Sequence, residues 1–183
     1  MRSCCRSGFA IALLLCLVGV SRAFPQKEHR DPLTEAQVEK IREAGIYPNE
    51  RIKLYTEFLG DHVNAVKSLT NRGKSDARAK HLDNELQDVA TLMDELGSNL
   101  DEYSDRHADM RGALKVLADE SQHWLTTLRA LAGEPPFDLS RKEAIEAGED
   151  LADQAKRLLS EQNDYFAAHK DEHGQERAEP KPQ

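Results

Sequence analysis

Apolar side chains recur every seven residues from Leu82 to Leu131, and no other feature of the chain constrains its fold as strongly. The repeat runs through Leu82, Val89, Leu96, Tyr103, Met110, Leu117, Trp124 and Leu131. A second set, Leu86, Met93, Leu100, His107, Leu114, Ser121 and Leu128, interleaves with it. Residues three and four positions apart share one face of a helix, so the two sets make a single stripe. Only His107 and Ser121 interrupt it. A stripe of about seven heptads predicts a long helix that buries a seam against partner helices.

The flanking segments carry helix signals of their own. Thr34 is placed to cap a helix over residues 35–44, with Gln37 at the capping-box position and Leu33 as a staple. Gly45 ends it, and Asn49 is the expected cap of a second helix from Glu50 to Asn71. That helix is striped by Ile52, Tyr55, Leu59, Val63, Val66 and Leu69, with Phe58 just off the stripe, where it could broaden the face for a partner. Ser75 is placed to cap the long element. Glu134-Pro135-Pro136 forces a connection, and Phe137 reads as a plug that seats this loop. Ser140 and Glu143 then form a capping box for a last helix that fades near Ala168.

The expected fold is all-α: an elongated antiparallel helical bundle or coiled coil with one long central helix. A helix from Ser75 to Leu131 is about 85 Å long at 1.5 Å per residue. The alternative is a compact four-helix up-down bundle, with the chain broken between Tyr103 and Gly112. Asp105, Asp109 and Gly112 are poor helix formers and favour a break. The lack of a proline there and the unbroken heptad phase favour continuity. In the elongated form the second and last helices lie antiparallel on the two halves of the central one. Such a layer is two or three helices thick, and self-association as a homodimer would complete its core.

Residues 1–23 read as a secretory signal peptide. Arg2 and Arg6 give a positive start, Phe9 to Val20 an apolar core, and Ser21-Arg22-Ala23 a small-residue cleavage site before Phe24. About 12 apolar residues are too few to span a bilayer, which takes about 20, so no stable membrane insertion is expected after cleavage. Residues 24–33 are the expected flexible leader, 34–168 a single helical domain, and 169–183 a disordered charged tail. The exported chain, periplasmic or extracellular, holds 22 basic and 33 acidic residues, a formal charge of −11. That field disfavours nucleic acid and anionic lipid as partners. Cys4, Cys5 and Cys16 all lie in the signal segment, so the exported chain has neither a thiol nucleophile nor a thiolate metal site.

Chemistry-bearing patterns are sparse. His107 sits on the apolar seam as a polar residue able to specify register. Glu120 and His123 have the Glu-x-x-His spacing of carboxylate-bridged metal bundles, which require a second copy. Asp61-His62, and His81 with Asp83 and Glu85, lack that spacing. His169 and His173, four apart beside Glu172, are the other candidate metal ligands. His-Glu-x-x-His, Gly-x-Ser-x-Gly and glycine-rich phosphate loops are all missing. No catalytic residue, no cofactor and no enzyme activity are expected. The pattern fits an exported, non-enzymatic helical protein acting through protein contacts, as a scaffold, adaptor or periplasmic helper. The alternative is a small-molecule- or metal-binding bundle in the cell envelope, with Ala144, Gly148, Ala152 and Ala155 lining a cavity.

Overall fold

The computed structural model describes residues 31–170. The expected signal peptide, most of the expected leader, and residues 171–183 of the expected tail lie outside the described residues. Five helices follow in order: α1 Glu35–Glu43, α2 Pro48–Thr70, α3 Asp76–Asp105, α4 Arg111–Ala130 and α5 Asp138–Ala168. The single helix expected from Ser75 to Leu131 is therefore two, and a compact bundle replaces the elongated architecture.

Contacts between side chains fix how the helices run. Tyr55 meets Glu95 and His62 meets Glu85, so α2 is antiparallel to α3. Arg129 pairs with Glu149 and Arg111 covers Phe166, so α4 is antiparallel to α5. Both pairings match the sequence expectation. Ser140 meets Asp83 and Gln154 meets Gly97, which also sets α5 parallel to α3. Each of α3 and α4 packs against both α2 and α5, so α3 and α4 face each other across the diagonal of the bundle. Four helices around one core supply the depth that the thin layer lacked, and the physical argument for a homodimer falls away.

The reversal between α3 and α4 needs no proline. His107 adopts φ 54°, the left-handed region. Its N–H donates to the Ser104 carbonyl, and the Ala108 N–H donates to that of Tyr103. This is a Schellman ending with histidine in the place glycine usually takes. Two amide side chains then clamp the turn. Gln162 accepts from the Met110 N–H at 2.9 Å and donates to the Ala108 carbonyl at 2.7 Å. Asn49 accepts from the Ala113 N–H at 3.0 Å and donates to the Asp109 carbonyl at 2.6 Å. Asn49 thus serves the start of α4, while at its own helix Tyr47 is the cap and Pro48 takes the first turn.

The heptad stripe is buried on both sides of the turn, from Leu82 to Tyr103 and from Met110 to Leu131. At the opposite end Arg78 is buried, donating to the Leu69 carbonyl and to Glu134, and so ties the α2–α3 and α4–α5 connections together. Thr34 and Gln37 form the capping box of α1, and Ser75 caps α3. Ser140 does not cap α5, which starts at Asp138; its hydroxyl is buried and donates to Asp83. Phe137 is buried at the start of α5. Phe58 is buried as well, with Lys40 of α1 over its ring, so the chain itself covers the face expected to take a partner. No described helix is long and apolar enough to cross a membrane.

Candidate metal site

Antiparallel packing of α2 on α3 sets His62 opposite Glu85 and Asp88. The two acids are three residues apart and share the face of α3 that looks at α2. One ligand atom from each of the three residues lies within 4.8 Å of the others. Asp88 is buried, and the side chains of His62 and Glu85 are 14% and 22% exposed. The site sits in the wall of the bundle, close to solvent and mostly shielded from it.

The histidine is held at both nitrogens. Nδ1 lies 2.8 Å from Glu85 Oε2, and Nε2 lies 3.2 Å from the carbonyl oxygen of Pro32. Both partners are acceptors. A neutral imidazole has one N–H, and the Pro32 carbonyl can be served only by a donor. With that proton at Nε2, the Nδ1 lone pair points at a carboxylate. A proton shared across this 2.8 Å contact, or a metal ion once the two side chains part to admit it, turns the contact from repulsive to attractive. The Nε2–H···O=C bond is also the outer contact that metal-binding histidines use to fix tautomer and ring orientation. Gathering two carboxylates in a partly buried site favours the same outcome. One imidazole nitrogen and two carboxylates form a donor set for zinc, manganese or ferrous iron, without the thiolates that select softer ions.

The residues singled out by spacing are placed elsewhere. His107 leaves the apolar seam and is exposed at the reversal, its ring stacked on Tyr165 at 5.0 Å. Glu120 and His123 are exposed on α4. His169 is exposed just past α5 and stacks on the Tyr165 ring at 4.3 Å. His173 lies outside the described residues. Ala144, Gly148, Ala152 and Ala155 are all buried, but they permit close packing: a Cβ on Gly148 would stand 3.0 Å from Leu125.

Other polar groups between α2 and α3 are structural. Tyr55 donates to Glu95, and burial, followed by that bond, raises the Tyr55 pKa. Arg51 donates to the Tyr103 hydroxyl at 2.7 Å. An open groove of about 470 Å³ beside the α4 start is lined by Asn49, Asp109, Arg111 and Lys115, among others. Its guanidinium is already taken by Asp109 at 2.7 Å. The exposed Ile46, Val116 and Leu139 sit on three different elements. No protein-family model, curated protein or solved structure matches the chain.

Proposed function

We propose that the protein is an exported, non-enzymatic helical bundle that binds one divalent transition-metal ion at His62, Glu85 and Asp88. The observation that carries this reading is the position of the His62 ring. Its Nε2 faces the Pro32 carbonyl, and its Nδ1 faces carboxylate oxygen where a cation belongs. Three protein ligands leave room in the coordination shell for water or for a group brought by another molecule. Export rests on the charge and apolar pattern of residues 1–23. Amino-terminal sequencing of the protein recovered from outside the cytoplasm checks it, with Phe24 as the expected first residue.

Titration calorimetry with zinc, on protein stripped by chelator, tests the site. One ion per chain is expected, and His62→Ala is expected to abolish its uptake. His123→Ala is expected to leave it unchanged. Zinc at a hundred times its dissociation constant should also stabilise the fold by about 2.7 kcal/mol. Absence of uptake, or uptake that survives His62→Ala, refutes the assignment.

A further inference from the structure

The segment from Asp31 to Ala44 is attached to the bundle by few contacts. Its helix, α1, packs against α2 and no other helix. Leu33 and Ile41 are buried, and Arg51 donates to the Ile41 carbonyl at 3.3 Å. Asp31 accepts from the Leu33 N–H at 2.9 Å, which shapes the turn that presents the Pro32 carbonyl. That carbonyl is the oxygen facing His62 Nε2.

We infer that this segment is a strap whose docking is coupled to occupation of the His62 site, with a divalent transition-metal ion as the effector. The inference rests on the metal-site reading above. Coupling passes through one imidazole. A docked strap keeps the proton on Nε2 and aims Nδ1 at Glu85 and Asp88. With the strap away, the ring is free to rotate and to exchange its tautomer, and Nδ1 is no longer preset. The linkage is reciprocal: if docking strengthens metal binding, metal must strengthen docking by the same factor. Outer partners of metal-bound histidines are typically worth about 10- to 100-fold in affinity, which sets the size of the effect.

Hydrogen–deuterium exchange on the full chain, with chelator and then with saturating zinc, tests the coupling. Zinc is expected to slow exchange of the α1 amides by about tenfold or more. A second measurement uses Leu33→Asp, which places a carboxylate where the strap buries an apolar side chain. This variant is expected to bind zinc about tenfold more weakly or worse. Zinc uptake with unchanged α1 exchange overturns the coupling and leaves the metal site standing. Parent-like affinity in Leu33→Asp does the same. If that variant fails to fold, the exchange experiment on the unaltered chain decides alone. A parent protein that takes up no zinc overturns both the coupling and the site.

Discussion

Replacing Gln162 by leucine should cost the domain about 2–4 kcal/mol, because one side chain holds the turn that reverses the chain. Gln162 is buried, and its amide serves two backbone groups of the α3–α4 connection, the Met110 N–H and the Ala108 carbonyl. Leucine fills a similar volume but can partner neither. Each orphaned buried group costs about 1–3 kcal/mol. Apolar burial by the new side chain returns about 1 kcal/mol of the total. Against a typical domain stability of about 5–15 kcal/mol the loss is large but survivable. Urea unfolding followed by the fluorescence of Trp124, the sole tryptophan and a buried one, reads it directly. The melting temperature should fall by about 6–15 °C. Gln154→Leu is the control. Gln154 also bridges to a backbone carbonyl, that of Gly97, and to Asp101, but at a half-exposed position where water replaces it. Its loss should cost below about 1 kcal/mol. Equal costs for the two variants, or a Gln162→Leu cost under about 0.5 kcal/mol, would refute the clamp.

Three further predictions concern the same bundle. Gly60 lies inside α2 with its nearest would-be neighbour, Trp124 Nε1, at 4.0 Å, so Gly60→Ala should stabilise the protein by up to about 1 kcal/mol. Gly148→Val should instead destabilise it by about 1–3 kcal/mol, since Leu125 and Met93 already crowd that position; thermal melts of the pair check both signs. The hydrogen bond from Arg78 holds the Glu134 carboxyl below the usual glutamate range. A lowered folded pKa contributes stability that is present above the unfolded value and lost as pH falls through the folded one. Stability measured from about pH 6 down through the carboxylate range should therefore decline less steeply in Glu134→Gln than in the parent.

The sequence resolved which side chains are buried far better than where the chain turns. Heptad spacing reports which residues face a core, and Leu82 through Leu131 face one as expected. It does not report helical continuity. Tyr103 and Met110 are seven apart, and both are buried although five non-helical residues, 106–110, include the second of them. A turn whose two ends must both deliver side chains to the same core can preserve the phase by its length alone. The usual stop signal was missing too, since the left-handed position of the Schellman ending holds His107 in place of glycine. The two residues that clamp the turn stand far along the chain, 60 and more positions from Asp109 and Ala113 for Asn49, and 52 from Met110 for Gln162. Asn49 carried a clear capping signal for α2, but Pro48 opens that helix and frees the amide to cap α4.

The candidate metal site was illegible for a related reason. Metal motifs are read from ligands close together on one helix, and that search finds Glu120 with His123 and His169 with His173. The candidate site draws one residue from α2 and two from α3, 23 residues apart at the closest. A usable signal did exist. Glu85, Asp88, Glu95 and Asn99 fall at helical spacing along a row beside the apolar seam that meets the seam at Tyr103, and His62, Tyr55 and Arg51 form a matching row on α2. Once the two helices are taken as antiparallel, the rows pair as His62 with Glu85, Tyr55 with Glu95, and Arg51 with Tyr103. Two of these three levels close with a tyrosine hydroxyl, which can both donate and accept. Only the His62 level gathers a ring nitrogen and two carboxylates, groups that compete for positive charge. Polar pairs recur along the rim of this apolar interface, and of the three levels the His62 one is where the proposed cation would find nitrogen and carboxylate ligands together.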